Sequence, residues 1–386
     1  MNDNESIKLV ELISTLKDSG ASEKKIKWSY DRFLEMKARN SKTPLHGTFE
    51  LTPLCNLDCK MCYVHLSFEQ FSPKNLLPVE FWKKMITEAH SSGMLYATLT
   101  GGECLTYPGF DEIYAYLYNM GIVPCVMSNG LLIDEERIAF FKKLPPYIIQ
   151  VSLYGSSEEA YEDVTGKRVF HTIYHNLERL RDSNLRVSLV ITPSSFMQED
   201  IQSLLEVAKS LKIPYNINAS LFVPRENTGR KLQDLEIDQY MKIYRIMKEQ
   251  NQENLNPIDS IELPEENHNG QPQFGLRCGG GTSGFNIQYD GKMTPCASLC
   301  ELYTEPSKLG FGSAWCKLNK LVSKYPFPSE CVGCSYYDYC ILCPKIHNNA
   351  HNPGHRDPRI CERTKRLIQE GYFHFQSKEN RSSFAE

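Results

Sequence analysis

Three cysteines stand close together in Cys55-Asn-Leu-Asp-Cys59-Lys-Met-Cys62. This spacing lets three thiolates wrap one face of a cubic iron–sulfur cluster and leave its fourth iron open. An open iron can bind a small molecule and pass it an electron, so the triplet points to redox chemistry on a bound ligand. A zinc site short of its fourth ligand is the plain alternative. A second group lies far downstream, in the pattern Cys278-x12-Gly291-x4-Cys296, then Cys331-x2-Cys334-x5-Cys340-x2-Cys343, then Cys361. Of fourteen cysteines, three fall at 55–62, two at 104 and 125, and nine between 278 and 361. Disulfides are rare in the reducing cytosol and a chain of 386 residues needs no staples, so the clusters read as metal ligands at two distinct sites.

The elements that must position these thiols alternate. Strand patterns fall at 47–53, 96–100, 123–128, 147–153, 186–192 and 215–222, and helical patterns at 78–92, 108–119, 134–144, 169–183, 197–211 and 235–250. Six βα units imply parallel strands, and six are too few for a closed eight-fold barrel. The fold class is therefore α/β, a partial, open (β/α)6 barrel over residues 47–250, with ligands gathering at the C-terminal strand ends. Residues 1–46 read as a helical segment with two helices over 5–39. Residues 251–274, rich in Asn, Glu and Pro, read as a linker. Phe285–Tyr289, Asp290-Gly291 and Lys292–Thr294 read as a β-hairpin with an Asp-Gly turn. The stretch 296–361 shows little periodicity, so bound clusters are expected to supply much of its stability. A tail follows from 366 to 386.

The triplet resembles that of the radical S-adenosylmethionine (radical SAM) superfamily, whose fold is a partial (β/α)6 barrel. At the end of the second strand, Thr100-Gly101-Gly102-Glu103 is similar to the family's Gly-Gly-Glu motif, which contacts the amino group of S-adenosylmethionine. Ser128-Asn129-Gly130 ends the third strand and Ser152 the fourth, where the family contacts the cofactor's carboxylate or ribose. The resemblance implies Cys55, Cys59 and Cys62 as catalytic cluster ligands, and Gly101, Gly102, Glu103, Ser128, Asn129 and Ser152 as cofactor contacts. Met61 stands where the family usually has an aromatic residue, and the adjacent Tyr63 is the candidate adenine contact. Cys104 follows Glu103 where proline is common. It reads as a small residue that fits, although a thiol facing the site could donate a hydrogen atom. Cys125 reads as core.

The downstream pattern resembles the SPASM domain, the twin-cluster extension of peptide-modifying radical enzymes, over residues 275–365. The resemblance implies two auxiliary iron–sulfur clusters, of the 4Fe–4S type. One would take Cys278, Cys296 and Cys343, and the other Cys331, Cys334, Cys340 and Cys361. The gap before Cys343 is two residues where the family usually has three. For the fourth position of the first cluster, Cys300, Cys316 and an open iron all remain candidates. Structural zinc is the competing account of Cys331-x2-Cys334. His347, His351 and His355 are spaced by four, but Pro353 and Gly354 interrupt any helix, so the stretch reads as a solvated loop.

The resemblance implies an enzyme that generates a 5′-deoxyadenosyl radical to abstract hydrogen from a peptide or protein side chain. This would be a ribosomal-peptide maturase making a crosslink, an oxidation or an epimer. Its electron donor would be a protein such as flavodoxin or ferredoxin. An anaerobic sulfatase-type maturase, a small-molecule dehydrogenase and a non-enzymatic zinc-binding interaction protein are the alternatives. Net charge is −4, which argues against a nucleic-acid partner. No apolar run approaches the ~20 residues that span a bilayer, and the polar N-terminus lacks a signal-peptide pattern. The expected location is cytoplasmic.

Overall fold

The computed structural model describes residues 23–195, 201–218, 221, 224–230, 235–249, 275–337, 339–340, 343 and 355–372. The first expected N-terminal helix, the linker 251–274, His347, His351 and the tail beyond 372 lie outside the described residues.

Strands β1 (His46–Glu50), β2 (Tyr96–Thr100), β3 (Val123–Ser128), β4 (Ile148–Leu153), β5 (Val187–Ile191) and β6 (Tyr215–Ile217) pair in parallel, each with the next. Between and after them run α2 (Val79–Ser91), α3 (Phe110–Asn119), α4 (Glu135–Lys143), α5 (Glu158–Thr165), α6 (Phe170–Asp182), α7 (Ile201–Leu211) and α8 (Ile237–Glu249). An N-terminal helix, α1 (Glu23–Ser41), precedes β1. Polar side chains fix several helix starts: Asp134 accepts from Arg137 N and Ser157 from Ala160 N, satisfying donors that the helix itself cannot.

Strand alternation decides the layers. Phe49, Leu99, Val126, Ile149, Val151 and Leu189 are buried against helix residues such as Trp82, Ile86, Ile113, Phe141 and Leu177. Each such fully buried side chain contributes about 1.5–3 kcal/mol. The opposite row holds Thr48, Glu50, Thr98, Cys125, Met127, Gln150, Ser152 and Val190, so the concave face mixes polar and apolar side chains. Cys125 is half-buried on that face and not in the core, because it is out of phase with Val126.

The sheet does not stop at β1. Strand β7 (Gly284–Ile287) pairs in parallel with β1, and β8 (Met293–Thr294) pairs antiparallel with β7. The expected hairpin thus extends the barrel sheet. Its turn is closed by Gly291, whose φ of +84° suits glycine, with Gly291 N donating to Gln288 O at 2.8 Å.

Two elements were absent from the sequence reading of the C-terminal region, where little periodicity was expected. Helix α9 (Phe311–Val322) buries Phe311, Ala314, Trp315 and Leu318 in the main core. Glu88 of α2 accepts from Phe311 N at 2.8 Å, and Trp315 Nε1 donates to Lys42 O at 2.7 Å. Helix α10 (Pro358–Gln369) runs past residue 365 and binds α8 through the ion pairs Arg366–Asp238 and Arg245–Glu370. Apolar packing, not clusters alone, therefore holds this region to the barrel.

Candidate metal centres and active site

Strand β1 delivers the first cysteine group. Beyond Glu50 the chain keeps pairing with the extension of β2: Leu51 N donates to Thr100 O, Gly102 N to Thr52 O and Glu103 N to Leu54 O. The two segments run so close that a Cβ on Gly101 would lie 2.4 Å from Thr52 O, and one on Gly102 2.3 Å from Leu54 O. Gly101 also has φ +146°. These glycines are thus required by the approach of the cysteine loop itself.

The loop then folds over α5. Asp58 N donates to Thr165 O (2.9 Å) and Lys60 N to Val164 O (3.0 Å), which satisfies carbonyls at the helix C-terminus. Helix α5 was missed in the sequence because it follows β4 where only one helix was sought. Cys55 Sγ accepts from Leu57 N at 3.4 Å and from Asn129 Nδ2 at 3.6 Å, and Cys62 Sγ accepts from His65 N at 3.3 Å. Burial, the Glu103 carboxylate and the Cys62 thiol together push the Cys55 thiol up to about 12. Cys59 is raised by burial and by Cys62 and Cys55. A cationic iron cluster suits thiols held like Cys55 and Cys59, because binding them as thiolates offsets the cost that burial and neighbouring charge place on their ionisation.

Glu103 organises the neighbouring strand ends. Its buried carboxylate accepts from Asn129 N at 2.7 Å and from Leu105 N at 3.1 Å, and burial raises its pKa. Asn129 also donates to Asn56 Oδ1 at 2.6 Å, and Ser128 Oγ accepts from Gly130 N at 3.0 Å. Ser128 and Asn129 thus tie the end of β3 to Glu103 and to the cysteine loop. Ser152 lies half-buried on the concave face and shares a hydrogen bond with Tyr154. Tyr154, not singled out in the sequence, hydrogen-bonds Cys59. Cys104 is buried and donates its thiol to Met127 O at 3.2 Å, which places it in the core as a small residue that fits.

Tyr63, the candidate adenine contact, occupies a different environment. The guanidinium of Arg225 lies 5.5 Å from its ring centre, and Tyr63 O accepts from Arg225 N at 3.1 Å. Arg225 in turn makes a bidentate pair with Glu50 (2.9 and 2.7 Å), and Glu50 is fully buried. Sequence reasoning missed both; the available signal, for Glu50, was a charge set between Phe49 and Leu51 at the end of β1.

The downstream cysteines form two groups. Cys331, Cys334, Cys340 and Cys361 line one cavity of about 330 Å³, together with Tyr336, Arg356 and Lys365. Burial and the other three thiols push Cys331 up to about 11. Elsewhere, Cys296 is pushed up to about 12 by burial, with Cys278 and Cys343 close enough to contribute, and it accepts from Leu299 N and Ser298 N. Cys300 donates to Ala297 O at 3.1 Å beside Arg225 and Glu50, and Cys316 is exposed on α9. His355 bonds Glu330 at 2.9 Å on the exposed surface. Among the described residues, no three His, Cys, Asp or Glu side chains converge tightly enough to hold a single metal ion. Four thiols around one cavity, and Cys278 and Cys343 near Cys296, are all-sulfur donor sets that iron–sulfur clusters accept.

A family model described as the Radical SAM superfamily matches residues 49–211. The chain is 24% identical over 259 residues to the sporulation killing factor maturation protein SkfB of Bacillus subtilis (strain 168), covering 67% of this chain and 61% of that protein. This chain therefore spans less than two thirds of that relative. It is also 24% identical over 323 residues to the AdoMet-dependent heme synthase of Methanosarcina barkeri (strain Fusaro / DSM 804), covering 76% of this chain and 89% of that protein. The crystal structure of Streptococcus suis SuiB bound to precursor peptide SuiA has the same fold, with a TM-score of 0.63 at 15% identity over 92% of this chain and 88% of that one. No described helix is long and apolar enough to cross a membrane.

Proposed function

Residues 49–211 are a radical SAM domain, and from that premise we propose that the protein is a radical enzyme with two auxiliary clusters that oxidises a peptide or protein side chain. The observation that carries this reading is the separation of ten cysteines into three groups, one at the barrel mouth and two in the C-terminal region. Cys55, Cys59 and Cys62 hold the first cluster. Cys278, Cys296 and Cys343 hold the first auxiliary cluster, and Cys331, Cys334, Cys340 and Cys361 the second.

When bound, the first cluster and S-adenosylmethionine supply a 5′-deoxyadenosyl radical that removes a hydrogen atom from the substrate. The chain's own residues orient and enclose. Ser152 faces the cofactor's space, Gly101 and Gly102 let the cysteine loop close on the end of β2, Glu103 with Ser128 and Asn129 fixes the strand ends around it, and the concave face admits the substrate. Clusters held by the two C-terminal cysteine groups would supply the acceptor that a net two-electron oxidation of the substrate requires. An acidic carrier such as flavodoxin or ferredoxin would supply the initiating electron, and the reaction would take place in the cytoplasm.

Similarity to a peptide-maturation protein, and a fold shared with an enzyme crystallised with its precursor peptide, support the peptide substrate. Similarity to a heme synthase supports a second reading, in which a small molecule is oxidised. The test is to incubate the reconstituted enzyme with short peptides encoded beside its gene and follow their masses. Loss of hydrogen from one peptide supports the first reading. Turnover of a free small molecule, with every peptide unchanged, supports the second.

A further inference from the structure

The loop at 225–230 touches both the mouth of the barrel and the C-terminal hairpin, and its contacts are too well formed to be incidental. At one end, Arg225 makes its bidentate pair with the buried Glu50, the last residue of β1 before the cysteine loop. The same guanidinium donates to Ala297 O at 3.2 Å, one residue beyond Cys296. Its backbone N–H and its charge hold Tyr63, one residue beyond Cys62. In the middle, Asn227 Nδ2 donates to Tyr289 Oη at 2.9 Å in the hairpin, and Asn227 O accepts from Gln70 Nε2 at 3.2 Å. At the far end, Arg230 is paired with Asp58, between Cys55 and Cys59. The amide of Asn286 on β7 completes the cage by donating to Glu50 Oε1 at 3.2 Å.

We propose that this strap, with the Glu50–Arg225 pair at its centre, is a positioning device that fixes the loop carrying Cys296 relative to the loop carrying Cys62, and so sets the geometry between the radical-generating centre and the first auxiliary centre. A buried guanidinium with a bidentate carboxylate, a carbonyl and a ring face as partners holds its neighbours in a single arrangement, which a lysine ammonium cannot reproduce. Arg225 and Glu50 are positioning residues; neither is assigned a contact with cofactor or substrate. The inference rests on the assignment of Cys55, Cys59 and Cys62 to one cluster and of Cys278, Cys296 and Cys343 to another.

The test uses full-length protein reconstituted anaerobically with iron and sulfide, as wild type, Arg225→Lys and the double variant Glu50→Met/Arg225→Met. Replacing both charges together avoids leaving one of them buried without a partner, so the double variant is the one expected to fold well. Each protein is assayed for iron content, for 5′-deoxyadenosine formed from S-adenosylmethionine with dithionite, and for the magnetic interaction between reduced clusters by electron paramagnetic resonance. The strap predicts unchanged iron and unchanged 5′-deoxyadenosine in both variants. It also predicts an inter-cluster interaction that weakens in Arg225→Lys and is lost in the double variant. An interaction identical to wild type in the fully loaded double variant would overturn the inference while leaving the cluster assignment intact. Wild-type protein without iron–sulfur signals, or without 5′-deoxyadenosine, would overturn the cluster assignment and the strap's role with it.

Discussion

Glu103 offers the clearest energetic test of how the mouth of the barrel is built. Its carboxylate is the acceptor for two buried backbone N–H groups, Asn129 N at 2.7 Å and Leu105 N at 3.1 Å. Truncation by Glu103→Ala removes both acceptors, in a place where the residue is 1% exposed and water has little access. Each orphaned buried donor costs about 1–3 kcal/mol, so the pair should cost about 2–6 kcal/mol. That is a large part of the ~5–15 kcal/mol by which folded domains are stable. Glu103→Gln keeps one carbonyl but turns an amide toward the other donor, and should cost about 1–3 kcal/mol. The assay is urea unfolding of the metal-free proteins followed by circular dichroism, comparing midpoints because a chain of this size need not unfold in one step. The midpoints should fall in the order wild type, Gln, Ala. Coincident midpoints for wild type and Glu103→Ala would refute the reasoning, since the two N–H groups would then have found partners elsewhere.

Gly101→Ala should be more damaging than a typical glycine substitution. The new methyl would press on Thr52 O in a backbone conformation with φ +146°, and lost 5′-deoxyadenosine formation with reduced iron at the first cluster is the expected result. Replacing Cys331 and Cys334 by serine should remove about four irons per chain and leave S-adenosylmethionine cleavage intact, as measured by iron analysis and chromatography. Glu35 supplies a pH signature. Burial would raise its pKa, but hydrogen bonds from His46, Ser283 and Arg39 outweigh it and hold it at about 2 against a usual 4.5. A depressed carboxylate stabilises the fold fully above its unfolded pKa and loses that contribution as pH falls toward 2, here at most about 3 kcal/mol. Glu35→Gln should therefore lower stability near neutral pH and flatten its acid limb; parallel curves of stability against pH would contradict the assignment.

The barrel was legible in the sequence because its strands and helices have different periods and because β1 to β5 are bounded by turn residues. The hairpin was legible from Asp290-Gly291. Its pairing with β1 was not, since nothing local in Gly284–Ile287 says which edge it joins. Helix α9 was overlooked although Phe311, Ala314, Trp315, Leu318 and Val322 recur at helical spacing, because the surrounding cysteines drew the region into a cluster-held reading. The N-terminal triplet and the downstream cysteine run stood out by their spacing, and the division of the latter into two ligand sets came from the resemblance to the SPASM domain. Two residues that steady them were not legible: Tyr154 at Cys59 and Arg225 at Tyr63 come from distant segments and meet only when the sheet curls; Asn129 was singled out as a cofactor contact, but its bond to Cys55 was not foreseen. Cys125 looked like core because a single apolar residue in a strand carries no phase; the phase comes from Val126, which faces the helices.

The most direct test of the central claim is anaerobic reconstitution of the full chain, with iron counted and 5′-deoxyadenosine measured in the presence of dithionite and S-adenosylmethionine. The same assay is run on a variant with Cys55, Cys59 and Cys62 changed to alanine. Three clusters predict about twelve irons per chain in the wild type and about eight in the variant, with cleavage abolished only in the variant. Zinc in place of iron, or wild-type protein that forms no 5′-deoxyadenosine under reduction, would contradict the account and leave a metal-stabilised binding protein in its place.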